Sequence, residues 1–538
     1  MRSSFLGLEV SKRTIQLAQK SLDITGNNLS NVNTEGYTRQ RVDVSSLYLS
    51  KYANWQTRTS RMSLAGQGTT AYGVNQIRDQ YIDKRYRESA CYVAQYSTTE
   101  SVLKEIETTL DNIVSDGLPA YMDTFSDALK KYAEQPDSEE LGSIVRNEAY
   151  NITNLLHSYQ TDLEELKESN LEALGNTIDE TNIVIRDIVD FNKKIVKEYS
   201  IMATGKLSEG ESVTGGYGPN EMLDARNLLL DELAYYGNIT VYDNADGSVR
   251  VLMDGIEIID GETYEQIYMR SSTKNVDQEE YTSEILRDYH AYEAVVLRWT
   301  SGDPAEPSSG ELRSYIDVLN GNGVYNTGYQ NDAYGIPYYE STIDAFANDF
   351  ATMLNTLNGA LDEKGNVINP ERLLLVTDNY NEGLEEYGEH YIEADTIRIA
   401  NSWMENATMI GEVYDPNSDR WTLTQDGNHI NEIVVKINSG VIAFGGKGDY
   451  EGTIYDYLLF ISNRLSQDID YNKAQYDSAY DTTNALLDSR DAVSGVSSDE
   501  EGINMLTYQN WYSATSRMMT ALDDALDKLI NSTGRVGL

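Results

Sequence analysis

Leu8, Ile15, Leu22 and Leu29 recur at intervals of seven residues, with Ser11, Ala18, Thr25 and Val32 three places after each. Such a repeat puts a narrow apolar seam on one face of an α-helix and constrains the segment to pack side by side with another helix. The same stepping by three and four returns near the other end of the 538-residue chain, at Tyr508, Trp511, Thr515, Met518, Leu522, Ala525 and Leu529. Neither helix is long enough to be stable alone in water, because nucleation is costly and an exposed seam forfeits its burial. Each seam needs a partner: the opposite terminus, a neighbouring copy, or the chain's own core if both are ordinary amphipathic helices.

Charge is distributed in the same two-part way. Residues 1–60 hold eight Lys and Arg against four Asp and Glu, and residues 503–538 hold three against three, so the formal net charge of −45 belongs to the middle. Desolvated like charges are costly and solvated ones are tolerated, so the ends suit contact and the middle suits a solvated outer body. An excess of 87 acidic over 42 basic side chains argues against a nucleic-acid partner. No apolar run exceeds five residues, too short for membrane insertion. The first 30 residues lack the apolar block and small-residue cleavage site of a secretory leader, so any export is expected to proceed without a cleaved signal peptide. The single cysteine rules out an internal disulfide.

Between the ends, Val145, Ala149, Ile152, Leu156, Tyr159, Leu163 and Leu166 continue at helical spacing through Ile178, Ile185, Ile188 and Ile195, which predicts a helix of more than 50 residues starting after Pro136. Shorter helices are expected around Leu103–Ile113 and after Pro119. The period changes to two at Ile239 and Val241, and Val249 and Val251 follow the turn Asp243–Gly247, so a hairpin is expected there. Ile343, Phe346, Phe350 and Leu354 mark a helix over 336–357, Thr396–Met404 a short one, and 453–492 a further long one. The expected fold is mostly α with inserted β domains. Its parts are a terminal helical polymerisation domain (1–60 with 495–538), a long helical rod domain (61–236, 336–360 and 453–494), a β-rich insertion (237–335) and a second outer insertion (361–452), with the terminal helices forming a coiled-coil-like pair.

Chemistry-bearing motifs give no positive signal. His157, His290, His390 and His429 are scattered, and the Glu389, His390, Glu393 and Asp395 group reads as a solvated acidic face. Asp243–Gly247 lacks the glutamate that would complete a calcium loop. Gly215–Gly216 and Gly445–Gly446 are not followed by the Lys-Ser or Lys-Thr of a phosphate loop. No catalytic residue, cofactor or metal is expected.

The segment Asn27-Asn28-Leu29-Ser30-Asn31-Val32-Asn33-Thr34-Glu35-Gly36-Tyr37-Thr38-Arg39-Gln40 resembles the N-terminal signature of the bacterial flagellar axial proteins, with Ser30 and Glu35 where that pattern has alanine and usually proline. Asn27, Asn31, Asn33, Gly36 and Tyr37 are carried over as a helix-exit corner. Tyr508-Gln509 through Arg517, Met518, Asp523, Leu526, Leu529 and Ile530 resembles the shared C-terminal helix. Pro219–Arg226, Leu228–Leu233 and Ile336–Tyr339 resemble the body of the hook-filament junction members, with 366–450 least similar.

The resemblance implies a non-enzymatic structural subunit, extracellular on the flagellum. It would join hook to filament by helical self-assembly through Leu8, Ile15, Leu22 and Leu29 on one seam and Tyr508, Trp511, Met518, Leu522 and Leu529 on the other. Implied partners are copies of itself, the flagellar hook protein, the next junction protein and filament, and an export chaperone on the C-terminal helix. A sister axial protein of hook or rod type, or a secreted adhesin or glycan-active protein, are the alternatives.

Overall fold

A computed structural model describes residues 4–46, 68–114, 117–204, 218–271, 294–326, 331–362, 365–378, 392–415, 420–423, 426–444 and 450–532. His290, Glu389, His390, Gly215–Gly216 and Gly445–Gly446 lie outside them. The chain forms two compact units. One comprises Met1–Cys91, Thr181–Gln266 and Ala479–Leu538, the other Tyr92–Glu180 and Ile267–Ser478.

In the first unit, helix α1 (Ser4–Ser30) leads through a corner into strand β1 (Gln40–Ser46), which pairs antiparallel with β2 (Thr69–Gln76) and carries an irregularity after Asp43. Leu17 and Ile24 of α1 pack on Val42 and Val74 of this hairpin. Helices α2 (Gln80–Val114) and α4 (Glu139–Thr204) each belong partly to both units, and α3 (Leu118–Glu134) belongs to the second. The 66 residues of α4 form the long helix that the apolar spacing predicts. Helix α5 (Asn220–Tyr236) is followed by the antiparallel sheet β3 (Ile239–Asp243), β4 (Val249–Met253), β5 (Ile256–Asp260) and β6 (Thr263–Tyr264).

The expected hairpin is β3–β4, with Asp243 paired to Val249. Its sheet is plugged onto α4 by Asn192, fully buried, whose Nδ2 donates to Gly261 O (2.9 Å) while its Oδ1 accepts from Val249 N (3.1 Å). A buried amide of this kind is tolerated because both of its ends are satisfied.

The second unit holds the largest core. It contains β7 (Ile267–Ser271), β8 (Val295–Trp299) and β9 (Pro304–Ala305) in one sheet, then α6 (Glu311–Asn320) and α7 (Ile336–Leu357). Pro337 falls in the first turn of α7, where its missing N–H costs nothing. Phe346, Phe350, Phe444 and Tyr457 stack, the last two with centroids 4.1 Å apart, and Phe125 meets Phe350 edge-on.

The unit continues with β10 (Leu375–Thr377), β11 (Ile397–Ile399), α8 (Asn401–Glu405), β12 (Glu412–Asp415), β13 (Arg420–Leu423), α9 (Asn428–Ser439), β14 (Ile442–Phe444) and β15 (Tyr450–Gly452). The short helix expected over Thr396–Met404 is therefore divided: Ile397 and Ile399 alternate into a strand paired with Leu375–Thr377, and helix begins only at Asn401. Residues 374–444 contribute Leu374, Ile397, Trp403, Ile430, Ile433 and Phe444 to the same core as α3 and α7.

Helix α10 (Ile454–Ser494) and helix α11 (Ser498–Asp527) complete the chain, with a wider helical turn over Lys528–Ser532. None of the described helices is long and apolar enough to cross a membrane.

Candidate functional site

The end of α1 is closed by its own asparagines. Asn31 Nδ2 donates to the Asn27 carbonyl and to Asn27 Oδ1, both at 3.0 Å, and Thr34 Oγ1 donates to Asn31 Oδ1 at 3.1 Å. Thr34 N and Tyr37 N then donate back to Asn31 O and Thr34 O, which turns the chain. Gly36 makes the turn at φ +75°, a torsion that a side chain would strain. Asn33 is exposed at the tip.

Asn28, 1% exposed, joins this corner to β1. Its Nδ2 donates to Gln40 O (2.9 Å), and its Oδ1 accepts from Gln40 N (3.0 Å) and from Tyr37 Oη (2.8 Å). Burial, aided by the carboxylates of Asp224, Glu221 and Glu501, raises the Tyr37 hydroxyl above its ordinary range, so it remains a proton donor. Asn220 at the start of α5 donates to Gln40 Oε1 (3.2 Å) and Val74 O (3.1 Å), and Gln76 Nε2 donates to Asp224 Oδ1 (2.7 Å). Burial pushes the Asp224 carboxyl up to about 6 despite the hydrogen bonds from Thr38 and Gln76. A cleft of about 410 Å³ lies beside this network, lined by Asp23, Asn27, Gln40, Asn220 and Glu221 among others.

The corner also reaches the other terminus. Arg39 N donates to Ser494 O (2.9 Å), Arg39 Nε to Glu501 Oε1 (2.8 Å) and Arg39 Nη1 to Glu500 Oε2 (2.7 Å). Burial opposes the guanidinium charge, but Glu500 and Glu501 outweigh it and hold Arg39 above its usual range. At the far end of the pair, a side chain at Gly7 would stand 3.3 Å from Leu522. With Arg39 beside Glu501 and Gly7 beside Leu522, α1 and α11 run antiparallel along one another.

The two ends that meet here are the ones matched by rod-type flagellar models. Residues 8–38 match the family described as flagella basal body rod protein, and residues 491–532 the flagellar basal body rod FlgEFG protein C-terminal family. Residues 103–367 match the flagellar hook-associated protein FlgK helical domain. Over 556 residues, 99% of both chains, the sequence is 27% identical to flagellar hook-associated protein 1 of Bacillus subtilis (strain 168).

Together these matches mark a flagellar axial protein of the hook-filament junction type.

A second relative of that name, from Salmonella typhimurium, is 20% identical over 577 residues, covering 96% of this chain and 98% of its own. The solved flagellar hook junction protein FlgK from Burkholderia pseudomallei shares the fold at a TM-score of 0.53 and 11% identity, across 76% of this chain and all of that one. The chain is thus a structural protein of the flagellar axis, of the junction type.

Of the expected seam residues, Leu522 stands against Gly7 of α1. Leu8, Ile15 and Leu22 are half-buried and Leu29 is exposed, while the side chains α1 buries fully are Ser11, Leu17, Ala18, Ser21, Ile24, Thr25 and Asn28. Leu17 and Ile24 face the β1–β2 hairpin, and Gly7, which has no side chain to hold the helices apart, is the position that meets Leu522. On α11, Tyr508 and Leu522 are half-buried, whereas Trp511, Met518 and Leu529 are 48%, 51% and 53% exposed. Tyr508 and Trp511 meet edge-on at 5.5 Å.

Asn28 and Arg39 stand inside the signature but carry roles that spacing does not reveal. An asparagine in a last helical turn reads as a cap, and nothing local announces a pairing 462 residues away. His157 is satisfied by the Ile397 carbonyl (2.8 Å), and among the described residues no group of His, Cys, Asp and Glu could hold a metal ion.

Proposed function

We propose that this chain joins hook to filament by polymerising through its terminal helices, with residues 1–60 and 495–538 as the polymerising part and the rest as a solvated outer body. The observation that carries the reading is the state of α11. This 30-residue helix fully buries only Glu501, while Ile503, Leu506, Trp511, Tyr512 and Met518 stand exposed along it. A row of large apolar side chains on a helix marks an interaction surface, and a head-to-tail contact between identical copies extends without closing. Leu8, Ile15, Leu22 and Leu29 form the facing seam, and Tyr508, Trp511, Met518, Leu522 and Leu529 the seam they meet.

The other partners follow from the family. They are the flagellar hook protein on one side, the next junction protein and filament on the other, and, before export, a chaperone on the amphipathic C-terminal helix. The working location is extracellular, and the role is structural with no catalysis. The Asn27, Asn31, Asn33, Gly36 and Tyr37 corner keeps α1 at a fixed angle to the hairpin.

The reading is tested with Met518→Asp in a strain lacking the native copy. The purified variant should keep its folded stability to within about 0.5 kcal/mol, as expected for a change at an exposed site. Electron microscopy should show hooks without filaments. Normal filaments on the hooks of that strain would refute the seam.

A further inference from the structure

α11 is anchored by a charge. Its one fully buried side chain is Glu501, 2% exposed, and the group facing that carboxylate is the Arg39 guanidinium. Burying a carboxylate is expensive unless it is paired, and removing one partner of such a pair costs more than the pair contributes to stability. Arg39 also stands close to the positive end of the helix dipole, which is unfavourable until Asp499, Glu500 and Glu501 in the first turn reverse the local field.

The same residue holds the helix before the break. Ser494, which closes α10, accepts a hydrogen bond from Arg39 N. Three residues separate the helices, and the first is Gly495, where a Cβ would stand 2.5 Å from Asp491 O. Ser497 caps α11 by accepting from Glu500 N (3.4 Å). The end of α10 is itself fixed, because Asp231 accepts from Arg87 Nε (2.7 Å) and Arg490 Nη1 (2.6 Å). The backbone that carries Arg39 is fixed in turn by the paired hydrogen bonds between Asn28 and Gln40.

We propose that Arg39 is a positioning residue: its ion pair with Glu501 latches the first turns of α11 to the N-terminal corner and sets the direction in which α11 leaves the Gly495–Ser497 break. The corner at the end of α1 then controls the helix at the opposite terminus. Glu500, with its side chain 62% exposed, contributes little, and Glu501 contributes most. The inference concerns the unassembled chain and holds whether or not α11 later docks with other copies.

The test is amide hydrogen exchange on the full-length, unassembled protein. Residues 498–510 report the latch, and β3–β4 (239–253) report the rest of the same unit. Arg39→Glu should speed exchange at 498–510 by about tenfold or more, as breaking a buried pair predicts, with β3–β4 unchanged. The double variant Arg39→Glu, Glu501→Arg should recover most of the protection, and Glu500→Gln should behave as the parent. Parent-like exchange in Arg39→Glu, no recovery in the swap, or an equal rise in β3–β4 would each overturn the latch. Met518→Asp, which tests assembly, leaves this readout untouched, so the two proposals fail separately.

Discussion

α7 and α11 are both long helices with apolar periodicity, and they treat it in opposite ways. α7 buries 15 of its 22 residues, Phe346 and Phe350 among them, inside a core built from the same chain. α11 leaves Trp511 and Met518 about half exposed and fully buries a glutamate. Burial of an apolar side chain is favourable by about 1.5–3 kcal/mol, so α7 realises its folding free energy alone while α11 holds much of its own in reserve. Periodicity therefore identifies a helix and a face, but not whether that face is covered within one molecule or between molecules.

The contrast can be broken at α7 first. Phe350→Ala removes a ring that meets Phe125 and Phe346, and should lower stability by about 3–5 kcal/mol in chemical denaturation. A loss under about 1 kcal/mol would mean that this core is far looser than its packing indicates.

A smaller effect sharpens the same point electrostatically. Burial pushes the Asp344 carboxyl on α7 up to about 7, with Glu393, Asp395 and Glu340 adding repulsion against the hydrogen bond from Ala394 N. Because the folded form holds its proton more tightly than the unfolded one, stability is lost as pH rises from about 4 to about 7. Asp344→Asn lacks that loss, so between pH 4 and pH 8 its stability relative to the parent should rise by roughly 1–3 kcal/mol. A pH-independent difference would remove the buried-carboxylate account. Met518→Asp on α11 lies at the small end of the series: close to neutral for the fold, decisive for assembly.

Much of the helical architecture was legible because α4 and α7 carry unbroken apolar spacing, and the β3–β4 hairpin because Asp243–Gly247 separates two alternating runs. The β1–β2 hairpin was not. Gln40–Ser46 is mostly polar, and its partner strand begins 23 residues after it ends.

The corner was legible as a turn through Gly36 and Tyr37, yet Asn28 was read only as part of a signature although it is the joint between helix and strand. Its role depends on Gln40, which local propensity cannot place. Likewise the leucines of α1 announce a seam, while Gly7, which stands against Leu522, gives no apolar signal of its own. The Arg39–Glu501 pair joins positions that only the folded chain brings together.

Hydrogen exchange on the purified chain, before and after it is polymerised, measures the reserve directly. In the free chain, residues 503–530 should exchange at least about 100-fold faster than residues 343–354, and assembly should slow the former while leaving the latter unchanged. Equal protection of the two segments in the free chain, with no change on assembly, would contradict the account.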